Sequence, residues 1–422
     1  MTNLTKIFSS WYFRWFLVGI FIRLILSAIT LHPDLWAFSF PGKIFVEQGI
    51  LNIYDYLHNL PLSSLYRVYG TDFFTYPPLA YFVLGIFRFI LQPFFDPNFY
   101  PRLFANFGQA FLVTGIFRHA LLIKLPYLVF DLSLAFLLTE FFQEEKKKRL
   151  AFLIWIFNPV SWYTSFMIGQ FDIIPTFFIV LSLVFALKTK NNFALLSLGI
   201  GGAFKIFPLL LVPFAAVILG KNNWEKSKLF IFGLLPFLIT ISPFLSSKAF
   251  RSVVIFGAQS QKLLYAGINV SGADVIYLFL VFYLLLLFYA FYFSGKIQSL
   301  WKFFLAVFLL IFSLTNYHTQ WFLWITPFLI IFVVEYPSKL FIPISLFILF
   351  IGTVFLFEPS LSIGLFSPLV PSIARAQGFS VFVGRFLPPT QISSYLRSIF
   401  AAVSIWLIFD LLIHQETIRE KT

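Results

Sequence analysis

Long apolar stretches separated by short polar turns run through almost the whole chain. A helix needs roughly 20 apolar residues to cross a bilayer core, so each stretch near that length predicts a membrane span. Fourteen stretches are visible, at 12–30, 76–95, 104–122, 124–142, 150–168, 172–189, 192–203, 206–220, 229–245, 274–294, 301–316, 320–334, 340–357 and 396–414. Four of these (192–203, 206–220, 301–316 and 320–334) are short enough for half-helices or re-entrant segments, so we expect about 12–14 spans.

The composition agrees with this pattern. Of 422 residues, 60% are hydrophobic and 11% are charged, whereas soluble domains average about 25% charged residues. We therefore predict an all-α, polytopic transmembrane protein that forms a single domain over residues 1–422, without a separate soluble domain. The chain has no cysteine, which excludes disulfides, a thiolate nucleophile and a Cys-ligated metal.

The net charge of +13 does not require a nucleic-acid partner, because membrane proteins concentrate Lys and Arg in cytoplasmic loops that face anionic lipid. With a cytoplasmic N-terminus, the basic clusters fall in the inner loops, which hold Lys146, Lys147, Lys148, Arg149, Lys188, Lys190, Lys221, Lys226, Lys228, Lys296, Lys302 and Lys339. The long outer loops are then 31–75, 246–273 and 358–395. This pattern predicts a multi-pass protein of the cell membrane with both termini in the cytoplasm.

The polar side chains that could take part in a reaction lie on the predicted outer side. Asp34 is the leading candidate among them. It follows Pro33 at the exit of the first span, where the freed backbone allows a carboxylate to face a water-filled cleft. Partial burial would adjust its basicity toward that of a general base. The structural alternative is an Asp that caps a loop helix.

A second carboxylate, Asp172, lies in the predicted outer turn Gly169-Gln170-Phe171-Asp172. Gly169 permits close backbone approach there, which brings Gln170 and Asp172 into the candidate site. An N-cap of the following span explains Asp172 equally well. Asp172 is therefore a candidate second acid.

Lys124 and Asp131 are seven residues apart on one predicted helix, so they share a face. An internal salt bridge is the favoured interpretation of Asp131. Lys205 lies between two short apolar segments, where it either extends to the lipid headgroups or contacts a phosphate. Arg375 and Arg385 of the last outer loop offer the planar forks that suit phosphate.

The outer turn at 316–321 contributes His318 and Gln320, which are candidates for substrate binding. His318 could be an acid, a hydrogen-bond donor or a plain turn residue. Only five histidines are present, and none has a second ligand at the spacing of a zinc site. We therefore expect no zinc.

Several short motifs, in this order, resemble the GT-C superfamily of integral-membrane glycosyltransferases. They are His32-Pro33-Asp34-Leu35-Trp36, Asn52-Ile53-Tyr54-Asp55, Tyr76-Pro77-Pro78, Phe130-Asp131-Leu132, Asn158-Pro159 with Gly169-Gln170-Phe171-Asp172, Lys205-Ile206-Phe207-Pro208, and His318-Thr319-Gln320-Trp321-Phe322-Leu323-Trp324. The pattern is most similar to the mannosyltransferases that use polyprenyl-phosphate mannose, including the GPI-anchor type. It covers roughly residues 10 to 335.

The resemblance implies a sugar donor carried on a polyprenyl phosphate, a glycan or glycolipid acceptor, and chemistry at the extracytoplasmic face. It assigns the base to Asp34, and the lipid phosphate to Lys205 with Arg375 or Arg385. The expected reaction is an inverting displacement that transfers a hexose, mannose first among the candidates. The expected partners are this donor, the acceptor and membrane lipids.

One departure from the family bears on metal dependence. Several relatives carry an acidic pair in the first loop, whereas this chain has His32 and Trp36 on either side of Asp34. A divalent metal is therefore doubtful, and no cofactor is expected. The alternatives are a lipid or glycolipid transporter or flippase, and a catalytically inactive relative that acts as an assembly partner. The chain shows no internal two-fold repeat of the kind that many transporters have.

Overall fold

The computed structural model describes residues 11–293 and 297–414. Lys296 and the ends of the chain at 1–10 and 415–422 lie outside the described residues. The protein is 77% helical, with one antiparallel hairpin formed by Gly267–Ser271 and Asp274–Tyr277. The all-α prediction is confirmed.

Seven helices are long and apolar enough to cross a membrane. They are Trp11–Ile29, Ile116–Thr139, Glu145–Ile168, Asn223–Phe244, Ile297–Leu314, Pro337–Leu356 and Pro389–Leu412. Four shorter apolar helices lie between them, namely Ile173–Leu187, Phe207–Leu219, Leu278–Tyr292 and Thr326–Glu335. Asn191–Phe204 is a further short helix, which packs against Ile173–Leu187. By length and composition, the described residues therefore contain seven helices that could span a membrane, against the 12–14 spans expected from the sequence. The membrane character is confirmed.

Helix Glu145–Ile168 connects two ends of the helix bundle, because Lys146 lies at its start and Gln170, just after its end, binds Asp34. We name these two ends the Lys146 face and the Asp34 face. On the Lys146 face, Lys188 pairs with Glu140 at 2.6 Å and Lys339 pairs with Asp410 at 2.6 Å. On the Asp34 face, Ser247 Oγ donates to Asp55 Oδ1 at 2.6 Å. Turns that are distant in sequence therefore meet at the same end of the bundle.

The region 76–122 differs from the prediction of two complete spans, 76–95 and 104–122. Helix Leu79–Leu91 has 13 residues, about 20 Å of rise, which is too short to cross the bilayer. The chain then turns by 106° into Phe99–Ala105, where the ring of Phe99 stacks on His119 at 3.6 Å. His119 is near the start of Ile116–Thr139 on the Asp34 face, so the segment returns to the face where it began.

Proline and glycine explain this return. Pro93, Pro97 and Pro101 interrupt the apolar run, and a proline removes a backbone donor and clashes with the preceding helical turn. Gly115, at φ +85°, begins the next long helix in a conformation that favours glycine.

Two basic residues that the predicted spans would have placed at or near the inner side lie instead on the Asp34 face. They are Arg88 and Arg102, which belong to the 79–119 segment. The difference in positive charge between the two faces is therefore smaller than the sequence predicts.

Short helices fill the loops on the Asp34 face. They include Asp34–Gln48, Ile53–His58 and Phe379–Val383. Asp34–Gln48 lies against Leu79–Leu91 so closely that a Cβ added to Gly42 would be 3.0 Å from the backbone nitrogen of Gly85. This contact fixes the helix that begins at Asp34.

Candidate functional site

Asp34 is the first residue of helix Asp34–Gln48, and its carboxylate does not cap that helix. Its side chain is 45% exposed. Gln170 Nε2 donates a hydrogen bond to Asp34 Oδ2 at 3.0 Å. The carboxylate is thus held by one neutral donor and is partly exposed to solvent, which suits a general base.

The turn that carries Gln170 is held against the Asp34 helix at Gly169. Its φ of +87° favours glycine, and an added Cβ would lie 2.6 Å from Leu35 Cδ1. Tyr127 Oη donates to the Gly169 carbonyl at 3.1 Å. The structure therefore brings Gln170 to Asp34.

Asp172 and Lys205 form a buried ion pair close to the turn that carries Gln170. Lys205 Nζ lies 2.9 and 2.7 Å from the two carboxylate oxygens of Asp172. Trp324 Nε1 donates to Asp172 Oδ1 at 2.6 Å. Asp172 makes no capping hydrogen bond to its helix, so its side chain is committed to the lysine and the indole.

The ammonium group of Lys205 is also surrounded by aromatic rings. It lies 5.0 Å from the ring centre of Tyr76, 5.3 Å from Phe171 and 5.9 Å from Trp324. A cation over ring faces gains electrostatic energy. The Lys205 side chain is therefore held inside the protein. It does not extend to the lipid headgroups, which was one of the two predicted alternatives.

Tyr76 connects the two carboxylates. Burial, followed by the negative charges of Asp172 and Asp34, raises the pKa of Tyr76 well above its usual value. Lys205 lies over the ring of Tyr76 and binds Asp172, while Gln170, two residues before Asp172, binds Asp34. Asp34, Asp172 and Lys205 belong to one site.

A second cationic group lies beside Lys205 and was not predicted. Lys262, from the loop before the hairpin, donates to His318 Nε2 at 2.8 Å and lies 5.2 Å from the ring centre of Trp321. Trp321 in turn stacks on Trp324 at 4.6 Å. The two lysines thus flank one stack of tryptophans.

The electrostatics of this group follow from burial and like charge. Burial, followed by the charges of Lys262 and Lys205, lowers the pKa of His318 to about 4. At neutral pH His318 therefore accepts from Lys262 and carries its proton on Nδ1. Burial, followed by Arg397 and Lys205, lowers the pKa of Lys262. His318 therefore holds the ammonium group of Lys262.

Arg397 is the third residue of the cationic group, and the sequence alone could have identified it as a candidate. It is an arginine within the last apolar helix, and such residues are functional candidates by default. It donates to the Thr315 carbonyl at 2.7 Å. Among the described residues neither Lys262 nor Arg397 forms an ion pair, so their charge is available to an anion.

Asp131 lies away from this group, whereas Lys124 lies behind the turn at Gly169, where an added Cβ would be 3.0 Å from Lys124 Cε. Asp131 is fully buried and binds Arg23 Nε at 2.6 Å, with Ser161 Oγ as a further donor. The favoured salt-bridge interpretation of Asp131 therefore agrees with the structure, with Arg23 as its partner. Lys124 donates to carbonyls at the ends of two helices, Thr30 at 2.8 Å and Phe166 at 3.0 Å. Such carbonyls lack helical partners, so Lys124 joins two helix ends.

The remaining predicted residues take other positions. Gln320 is buried in the turn between Lys262 and the tryptophans, whereas Arg375 and Arg385 are exposed on the last loop. Neither arginine forms an ion pair within the described ranges. Asn158, from the Asn-Pro motif, caps the restart of its helix by accepting from Val160 and Ser161. In the described residues, no group of three His, Asp or Glu is arranged to hold a metal ion.

Comparisons with protein-family models, with curated proteins and with solved structures found no match to this chain.

Proposed function

We propose that this protein is an integral-membrane glycosyltransferase of the GT-C type. It transfers a hexose, mannose first among the candidates, from a polyprenyl-phosphate donor to an envelope glycan or glycolipid. One arrangement carries the proposal. The exposed carboxylate of Asp34 is joined by Gln170 to the turn that holds the Asp172–Lys205 pair, and Lys262 lies against the tryptophan pair at the same turn. Among the described residues, Lys262 and Arg397 have no acidic partner. Displacing a sugar from a phosphate requires at least a base and, beside it, a site that binds an anion.

The reaction assigns a role to each side of the site. The acceptor hydroxyl attacks C1 of the sugar, its proton passes to Asp34, and the bond from C1 to the phosphate oxygen breaks with inversion. The electron pair leaves with the lipid phosphate. Lys262 and Arg397, with Lys205 behind them, stabilise the negative charge that grows on this group. The Trp321 and Trp324 stack provides a wall for the sugar or the isoprenoid.

Asp172 serves this reaction as a positioning residue. Its carboxylate is fully buried and receives bonds from Lys205 and Trp324. To accept a proton from substrate, it would have to abandon those bonds in a site from which water is largely excluded. We therefore assign the base to Asp34 and assign to Asp172 the task of holding Lys205.

The test is transfer from radiolabelled polyprenyl-phosphate mannose to membrane lipid and glycan extracts. Asp34→Asn keeps the side-chain size and the bond to Gln170 but cannot take a proton. We expect turnover to fall about 10²–10⁴-fold, with donor binding kept. Asp72→Asn is the matched control, because Asp72 is 47% exposed and pairs with His58 in the same outer loop.

Turnover of Asp34→Asn at the wild-type level would remove Asp34 as the base. Absence of transfer by the wild-type protein, together with movement of the labelled lipid across vesicle membranes, would instead support a transporter.

We also propose that the Asp34 face is extracytoplasmic and that both termini of this cell-membrane protein are cytoplasmic. The support is the basic run 146–149 on the opposite face, since dense positive charge resists translocation. Because the chain lacks cysteine, Ser63→Cys and Lys146→Cys give a clean test. An impermeant thiol reagent should label only Ser63→Cys in intact cells, and the reverse result would invert the topology.

A further inference from the structure

His32 lies directly beside Asp34 but takes no part in the steps above. Its ring is almost completely buried. The backbone N–H of Asp34 donates to His32 Nδ1 at 3.2 Å, so Nδ1 carries no proton. A neutral imidazole with an acceptor at Nδ1 has its proton on Nε2. The geometry thus defines one tautomer.

The other nitrogen of His32 points to the last outer loop. Its Nε2 lies 3.5 Å from Ser360 Oγ. The same turn is tied to the first span, because the backbone N–H of Leu31 donates to the Leu365 carbonyl at 2.8 Å. Tyr163 Oη donates to the Leu361 carbonyl at 2.7 Å. His32 is therefore a link between a well-anchored turn and the start of the Asp34 helix.

We infer that His32 is a positioning residue for Asp34, and that its neutral form with the proton on Nε2 fixes the carboxylate while linking it to the turn at Ser360. This inference rests on the proposed function. Pro33 leaves the start of the Asp34 helix without a side-chain cap, so the imidazole supplies the acceptor that holds the first backbone N–H. Loss of that acceptor would let the carboxylate move away from its position beside Gln170.

Protonation of His32 would reverse the arrangement. Nδ1 would become a donor, and Asp34 Oδ1 is only 3.6 Å away. The base would then be occupied by its neighbour. The charged groups that face the ring are Asp34, Glu358 of the last loop and Lys124 of helix Ile116–Thr139. Burial, the largest influence, lowers the pKa of His32, and Lys124 acts in the same direction, while Asp34 and Glu358 oppose it.

The test separates the two nitrogens. His32→Asn places an amide oxygen near the position of Nδ1, whereas His32→Gln reaches the position of Nε2. We expect His32→Ala to lose up to about 10²-fold in kcat with the KM for donor nearly unchanged, because misplacement of a reacting group costs about that much. His32→Asn should recover most of the loss, and His32→Gln should recover little. Recovery by His32→Gln alone, or full turnover by His32→Ala, would overturn the inference.

A second measurement does not depend on turnover. Imidazole ¹⁵N shifts of the histidine-labelled protein in micelles report the tautomer, and His32→Asn identifies the signal among the five histidines. We expect the neutral form with Nε2 protonated at pH 7. A signal from Nδ1–H or from the charged ring at pH 7 would overturn the inference. Failure of transfer in the wild-type protein would instead count against the proposed function and leave this result intact.

Discussion

Two polar regions of this protein are built from the same residue types and do different things. In the helix interior, Arg23, Asp131 and Lys124 are fully buried. On the Asp34 face, the site contains Asp34, Lys205, Lys262 and Arg397. Both regions hold charges in surroundings that are otherwise apolar, so the presence of charge alone does not identify a site.

The difference lies in how the charges are satisfied. Arg23 binds the Asp131 carboxylate at 2.6 Å and the Ile156 carbonyl at 2.9 Å, and Lys124 donates to carbonyls from two helices. These interior groups have complete sets of protein partners. The site keeps a carboxylate that is 45% exposed and two cations, Lys262 and Arg397, that have no acidic partner among the described residues. Buried charge that is fully paired holds the fold, whereas charge left open is available to a ligand.

The largest expected effect therefore comes from breaking the interior pair. Arg23→Met leaves the Asp131 carboxylate buried without its cation, and such changes cost about 3–5 kcal/mol. We expect that loss in the free energy of unfolding measured in mixed micelles. Arg14→Met, an exposed arginine of the same helix, should have little effect.

Adding Asp131→Asn to Arg23→Met should restore part of the stability, since the unpaired charge is then gone. Wild-type stability in Arg23→Met would show that this region does not support the fold.

The same contrast explains which features could be predicted from sequence. The spans after residue 124 follow from apolar length and turn residues, and these are local properties. The segment 76–122 has the composition of two spans, but its prolines and the contacts of Phe99 with His119 keep it on one face. Length and composition do not report such tertiary contacts.

Within the site, the sequence placed Asp34, Gln170, Asp172 and Lys205 on one predicted side of the membrane. It predicted neither the bond from Gln170 to Asp34 nor the ion pair between Asp172 and Lys205. Lys262 could not be placed from sequence, because it comes from a loop without a periodic pattern and reaches His318 only through folding. Arg375 and Arg385 were chosen for their chemistry and their predicted side, and the loop leaves both exposed. Residue type identifies candidates, while pairing depends on packing.

The second-largest effect is expected for a change at Lys205. It distinguishes a lysine that holds a buried acid from one that only contacts substrate. Lys205→Met removes a cation from the site and also leaves Asp172 unpaired except for Trp324. We expect a loss of about 1–3 kcal/mol in stability together with weaker donor binding. Lys205→Met combined with Asp172→Asn should regain stability but not affinity, and recovery of both would contradict the assignment of Lys205 to the phosphate.

The smallest effect is expected for a change at Lys262. Its charge balances no acid in the described structure, so this change tests whether an unpaired cation serves ligand binding and not the fold. Lys262→Met should weaken binding of polyprenyl-phosphate mannose about tenfold, or ~1.4 kcal/mol, since one charge-assisted contact to the phosphate is lost. The free energy of unfolding should stay unchanged, because no buried acid is left without a partner. Lys248→Met, an exposed lysine of the same loop, controls for general charge. Titration of solubilised protein with the donor gives the affinity, and thermal unfolding gives the stability. If Lys262→Met lowered stability while leaving donor affinity unchanged, Lys262 would belong with the interior charges that hold the fold, and the phosphate would have to be bound by other cations.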